Sequence, residues 1–140
     1  MIRKIDHIGI AVKDIETHLV FYRDVLGLKF EGYEDLPDRG LRVAVFDAGG
    51  VRLELIQAAS TDSTISTFLE RRGEGLHHLA FGVDDAEGTL AHLIENGIRA
   101  LDPAPRPGAG GAKVAFLNPD DTGRVLLEIC EEKPGGRRRE

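Results

Sequence analysis

The chain has one cysteine in 140 residues, no long apolar run and a deficit of positive charge. Each shortage excludes something. A single thiol, Cys130, forms no internal disulfide and cannot by itself build a cysteine-based zinc site, so a metal here must be held by His, Asp or Glu. No stretch approaches the roughly 20 apolar residues that cross a bilayer. The opening Met1-Ile2-Arg3-Lys4-Ile5-Asp6 lacks the apolar run of a signal peptide, so a cytoplasmic protein with no membrane partner is expected. Eighteen Lys and Arg against 24 Asp and Glu give a net charge of −6, which argues against phosphate-backbone binding and hence against nucleic acid as a partner. One basic run, Arg137-Arg138-Arg139, follows Lys133-Pro134-Gly135-Gly136, and residues 135–140 read as a flexible basic tail. What remains is 41% apolar and 30% charged, a globular composition with a packed core, and the length suits one domain.

The chain repeats itself. An offset of 71 lays Asp6-His7-Ile8-Gly9-Ile10-Ala11-Val12-Lys13-Asp14-Ile15-Glu16 over His77-His78-Leu79-Ala80-Phe81-Gly82-Val83-Asp84-Asp85-Ala86-Glu87, so that His7 meets His78 and Asp14 meets Asp85. The same offset puts Arg42-Val43-Ala44-Val45-Phe46 over Lys113-Val114-Ala115-Phe116-Leu117. Three extra residues then bring Val51-Arg52-Leu53-Glu54-Leu55 over Val125-Leu126-Leu127-Glu128-Ile129. Two copies of a module too small to be stable alone are expected to bury their apolar faces together. The organisation read from this is module one over about 1–60, a linker helix over about 61–73 and module two over about 74–134.

Within each copy the pattern is strand, helix, then strands. Ile5 to Val12 alternates, with Ile8, Ile10 and Val12 on one face and His7, Gly9 and Ala11 on the other. Asp14 suits a helix N-cap, Ile15, Leu19, Tyr22, Val25 and Leu26 recur at helical spacing, and Gly27 suits the stop. In the second copy Asp85 and Gly97 take those places. Further strands are predicted at 32–36, 41–47 and 51–57, then at 100–102, 113–118 and 125–131. Ser63 to Arg72, with Ile65, Phe68 and Leu69 in one stripe, reads as the linking helix.

His7 shares its strand face with Gly9 and Ala11, and His78 with Ala80 and Gly82, so both imidazoles look onto space fit for a ligand. Glu54 stands between Leu53 and Leu55, and Glu128 between Leu127 and Ile129. A buried carboxylate is costly unless partnered. A lone strand histidine is more often a core or surface residue than a ligand, and a lone Glu in such a triplet often faces solvent. Recurrence of both at equivalent positions of two copies separates the ligand reading from coincidence. Two imidazoles and two carboxylates converging on one divalent cation suit Zn, Co, Ni, Mn or Fe better than Ca or Mg.

These residues resemble the vicinal oxygen chelate superfamily, whose members pair two βαβββ modules around a metal in a cupped sheet. Within it the likeness is to the epimerases of methylmalonyl-CoA. The motifs that carry it are Asp6-His7-Ile8-Gly9-Ile10-Ala11-Val12, Phe21-Tyr22-Arg23-Asp24-Val25-Leu26-Gly27, Gly73-Glu74-Gly75-Leu76-His77-His78-Leu79-Ala80-Phe81, Pro105-Arg106-Pro107-Gly108-Ala109-Gly110-Gly111-Ala112-Lys113-Val114-Ala115-Phe116-Leu117 and Thr122-Gly123-Arg124-Val125-Leu126-Leu127-Glu128, within a similarity running from about Ile5 to Glu131. The resemblance implies an α+β fold of two βαβββ modules forming a cupped mixed sheet around a metal, with His7, Glu54, His78 and Glu128 as ligands to one Co, Zn, Ni or Mn per chain. It also implies a homodimer acting on an acyl-CoA.

Some members place a catalytic glutamate where this chain has Val43, and those often have Gln where it has Glu54. Asn118 stands where many relatives have His. Epimerisation removes a proton from the carbon between a thioester and a carboxylate and returns it to the opposite face, which asks for two proton-transfer groups. Glu54 and Glu128 are the candidates. The loop through Gly110 and Gly111 lacks the spacing of a nucleotide-binding P-loop and reads as a flap over the coenzyme A moiety, with Arg106 and Lys113 as contacts. A glyoxalase I-type lyase acting on a glutathione hemithioacetal and a non-enzymatic binding protein of the same fold are the alternatives. The complete ligand set counts against the second.

Overall fold

The computed structural model describes residues 1–135, so the basic run at 137–139 and most of the expected tail lie outside the described residues. The chain divides into two compact units, His7–His77 and residues 1–6 with the chain from His78 onward. The division falls inside two strands, β1 (Ile2–Ala11) and β5 (Gly75–Val83). Each unit has the βαβββ order that the repeat predicts, which makes the fold α+β as expected.

In the first unit β1 is followed by the helix α1 (Ile15–Leu19), then by β2 (Lys29–Leu36), β3 (Leu41–Asp47) and β4 (Arg52–Ala58). The strands lie in the order β2-β3-β4-β1, with β4 antiparallel to β3 and parallel to β1. A sheet carrying apolar residues on both faces needs cover on both. Ile15 and Leu19 of α1 pack with Val12, Ala44, Phe46 and Leu55 on one side. On the other, Ile65 of α2 (Thr64–Arg72) joins Ala11, Val43, Val45 and Ile56. Phe46 is fully buried between the rings of Tyr22 and Phe30, with centroids 5.9 and 5.2 Å away.

The second unit has β5, α3 (Ala86–Glu95), β6 (Arg106–Pro107), β7 (Lys113–Phe116) and β8 (Leu127–Glu131). Its strand order is β5-β8-β7-β6, with β5 and β8 parallel. Leu90 and Ala86 of α3 pack on Val83, Ala115, Leu117 and Ile129. Cys130 sits on the opposite face with Ala112 and Val114, a core position. Gly82 admits the start of β1, since a Cβ there would meet Lys4 Cγ at 3.2 Å.

Apart from shifted strand ends, the structure departs from the expected elements most clearly in three places. α1 does not run on as an α-helix to Gly27: residues Val20–Val25 form a π-helix, in which the Leu26 N–H reaches Phe21 O at 2.8 Å. The wider turn keeps Tyr22 on the sheet and rotates Val25 and Leu26 out to solvent, so those two do not join the predicted stripe. The strand expected at 100–102 is only a bridge from Ala100 to Leu117, because Pro103 and Pro105 supply no N–H and pairing resumes at Arg106. Asp14 occupies the N-cap position but makes no capping bond; it accepts instead from Thr17 Oγ1. Asp85 does cap, accepting from the Gly88 N–H at 3.2 Å.

Between the modules, α2 starts where expected, with Ser63 Oγ accepting from Ser66 N–H. The Gly73-Glu74-Gly75 segment that follows is tied back to α1: Glu74 accepts from the Lys13 N–H at 2.8 Å and pairs with His18 Nε2 at 3.0 Å. The Lys13 bond first, then His18, hold the Glu74 carboxyl below the usual glutamate range.

Candidate metal and proton-transfer site

Each unit positions one histidine and one glutamate by the same device. In the first, parallel pairing of β1 and β4 sets Gly9 opposite Glu54, and in the second β5 and β8 set Ala80 opposite Glu128. Those partners are equivalent under the repeat. His7 and His78 each lie two residues before the paired small residue and therefore on the same face as the glutamate. His7 Nε2 stands 3.7 Å from Glu54 Oε1, with side chains 6 and 5% exposed. His78 Nε2 stands 3.5 Å from Glu128 Oε1, with side chains 6 and 4% exposed. Two donors at about 2.0–2.2 Å from a tetrahedral metal would stand about 3.4 Å apart. The separations within the pairs suit metal ligation by that measure, and the neutral-imidazole and carboxylate donor set suits a first-row divalent ion.

The backing of each pair is also built in. Gln57 Oε1 on β4 accepts the first N–H of α1, Ile15, at 2.8 Å, and Glu131 Oε1 on β8 accepts the first N–H of α3, Ala86, at 2.9 Å. These are equivalent bonds in the two copies, and the equivalence of Gln57 and Glu131 under the repeat was the signal that could have found them. They do what the side chain of Asp14 does not, satisfying an orphan donor at the helix start.

The two halves are not identical. Arg52 is buried, and its Nε lies 3.9 Å from Glu54 Oε2 on the same strand face, whereas Leu126 holds the equivalent place in the second copy. Nothing in the apolar periodicity announced a buried guanidinium. Val43 is buried opposite Ile56 and takes part in the core with Ala11 and Ile65, so the position where some relatives keep a glutamate offers no acid or base here. His77 packs edge-on to the Phe68 ring at 5.0 Å, away from the pairs described.

The expected substrate contacts separate. Arg106 lies above the Phe116 ring, its guanidinium carbon 5.9 Å from the ring centroid, with Nε 3.0 Å from Asp102 Oδ1. Phe116 in turn meets the His78 imidazole. Gly110 and Gly111 lie in a 3-10 turn at φ of 67° and 78°, conformations that favour glycine. Lys113 points to the α3 side, where its Nζ is 3.4 Å from Glu87 Oε1. The structure thus places Arg106 over the ring that meets His78, and Lys113 beside Glu87. Asp102, which the sequence reading passed over, organises this corner.

The model of the Glyoxalase/Bleomycin resistance protein/Dioxygenase superfamily matches residues 6–116, a span that takes in both module starts. The chain belongs to that superfamily. It is 44% identical over 130 residues to the uncharacterized protein YqjC of Bacillus subtilis, covering 93% of each chain. It is 34% identical over 131 residues to the ethylmalonyl-CoA/methylmalonyl-CoA epimerase of Cereibacter sphaeroides, covering 92% of this chain and 98% of that one. A methylmalonyl-CoA epimerase solved in complex with methylmalonyl-CoA and ammonium superposes with a TM-score of 0.90 at 32% identity, over 99% of this chain and all of the other. With epimerases matching nearly end to end in both sequence and fold, this superfamily member is an enzyme, an epimerase of the isomerase class. No helix among the described residues is long and apolar enough to cross a membrane.

Proposed function

We propose that the enzyme interconverts the (2R) and (2S) forms of methylmalonyl-CoA by α-proton abstraction, with one divalent metal per chain held by His7, Glu54, His78 and Glu128. The observation that carries this is the duplicated His–Glu pair, each buried and each fixed by the same parallel register. Relatives named for this substrate support the choice of acyl-CoA over a glutathione adduct.

When bound, the metal supplies Lewis-acid stabilisation of negative charge developing on the thioester and carboxylate oxygens. The proton work belongs to the chain. Glu54 takes the α-proton from one stereoisomer and Glu128 delivers one to the opposite face, with the roles exchanged in the reverse direction. Burial of both carboxylates keeps bulk water from competing for the enolate. Arg106, held by Asp102, is an anion contact for the substrate, and the turn through Gly110 and Gly111 covers the coenzyme end. Lys113, engaged with Glu87, has no part in this reading.

The deciding experiment is α-proton exchange on methylmalonyl-CoA in D2O by the metal-loaded protein, with a methylglyoxal-glutathione hemithioacetal run alongside. Deuterium in both stereoisomers supports the reading; turnover of the hemithioacetal alone replaces it with the lyase. The assembly that goes with it is a cytoplasmic homodimer in which each chain supplies its own four ligands. Mixing two inactive single-ligand variants should therefore restore no activity, and recovery would mean that chains share ligands.

A further inference from the structure

The two modules are copies, and the place where they stop matching beside the glutamates is informative. Across the strand pair from Glu54 stands Val45; across from Glu128 stands Phe116. These two are equivalent under the repeat. Val45 is 3% exposed and belongs to the core with Ala11, Val43 and Ile56. Phe116 is only half-buried, and its ring stands edge-on to the His78 imidazole, with centroids 5.4 Å apart and planes at 85°.

The backbone that carries the ring is tied down. The Phe116 N–H donates to Asp102 Oδ2 at 2.7 Å, and the other oxygen of Asp102 holds Arg106 Nε at 3.0 Å, which keeps that guanidinium above the ring. A guanidinium and an imidazole both adjoin the ring, which forms an apolar wall next to the second His–Glu pair. Further along the same face of β5 come Ala80 and Gly82, too small to crowd that ring.

Resting on the epimerase reading above, we propose that Phe116 sets the size limit on the α-substituent of the acyl-CoA. The carboxylate and thioester oxygens of such a substrate go to charged partners, which leaves its one apolar α-substituent to find an apolar surface. Phe116 is a large apolar side chain adjoining the pair. A pocket of this kind discriminates one methylene by about 10–200-fold in kcat/KM.

The test compares kcat/KM for methylmalonyl-CoA and for ethylmalonyl-CoA, one methylene larger, in the metal-loaded parent, in Phe116→Ala and in Phe116→Val, which installs the residue module one carries. The parent should favour the methyl substrate by at least about tenfold. Phe116→Ala should move the ethyl-to-methyl ratio upward by about tenfold or more, and Phe116→Val by less. A ratio that stays within twofold of the parent's in the folded variants, with both rates lowered equally, overturns the inference and leaves the epimerase standing. If the alanine variant fails to fold, the valine variant decides alone. A parent inert toward both substrates overturns the epimerase reading itself, and this inference with it.

Discussion

Replacing Glu54 or Glu128 by Gln tests whether this enzyme moves protons with the same residues proposed above as ligands to a metal. The amide oxygen keeps a donor atom in place but accepts no proton at neutral pH. A positioned general base contributes about 10²–10⁴-fold, so each variant should lose that much epimerisation, or about 3–5 kcal/mol of barrier at 1.36 kcal/mol per tenfold. The structure adds a constraint on the two losses. The His–Glu separations are 3.7 and 3.5 Å, and both pairs are buried to the same degree in equivalent registers. The two variants should therefore lose activity to within one power of ten of each other, about 1.4 kcal/mol. Arg52 is one departure from equivalence, so E54Q, which removes the carboxylate beside a buried guanidinium, should melt below E128Q. The assay is NMR of each pure stereoisomer of methylmalonyl-CoA in D2O with metal-loaded protein. One variant should wash deuterium into one stereoisomer without inverting it, and the other should do so for the opposite one. If both variants epimerise at the parent rate, neither carboxylate is the base. If one does so and the other is inert toward both stereoisomers, the symmetric assignment is wrong.

Three further outcomes are expected. Elemental analysis of protein loaded with Co or Zn should give about one metal per chain, reduced in His7→Ala and His78→Ala, and chelation should lower the melting temperature, since ligand at about 100 times its Kd stabilises by about 2.7 kcal/mol. Asp85→Ala should cost about 0.5–2 kcal/mol in a thermal melt, while Asp14→Ala, at the equivalent cap without a capping bond, should cost less; equal losses would contradict the capping assignment. Because the Glu74 carboxyl is held below its ordinary 4.5 in the folded protein, its contribution is present above that value and fades as pH falls through the lower folded one. Melting temperatures of the parent and Glu74→Gln should thus differ most near neutrality and converge in acid.

Much of this could be read from residues alone because duplication makes spacing informative. Asp6 to Glu16 aligned on His77 to Glu87 located both first strands, and the Leu-Glu-Leu and Leu-Glu-Ile triplets located the two last ones, so the four polar residues that the structure sets in pairs were all named by position. What escaped was whatever depends on register or on backbone hydrogen bonds that leave no mark in periodicity. The apolar spacing from Ile15 to Leu26 is the same for an α-helix and for one that widens into a π-turn at Val20, yet the two expose different residues. Phe116 in sequence is one more apolar residue of a strand; only its alignment with Glu128 across β7 and β8 separates it from the core. Asp102 sits among prolines, where the pattern suggested a strand and the chain instead used the carboxylate to bind a backbone N–H and a guanidinium.

The bonds from Gln57 and Glu131 to the helix starts have a consequence for how the chain finds its pairing. On β4 the glutamate that points to one face is followed three residues later by the side chain that holds α1 on the other, and β8 repeats this with α3. A strand that slipped by a single residue would turn every side chain to the wrong face. It would send Glu54 or Glu128 into the helix-covered layer and at the same moment release the helix it should hold. Each such strand therefore carries two independent checks on its own alignment, one on each surface, and a misregistered sheet loses both together. An arrangement of this kind makes the correct pairing stand well below its nearest competitors in free energy, even for strands as short as β8.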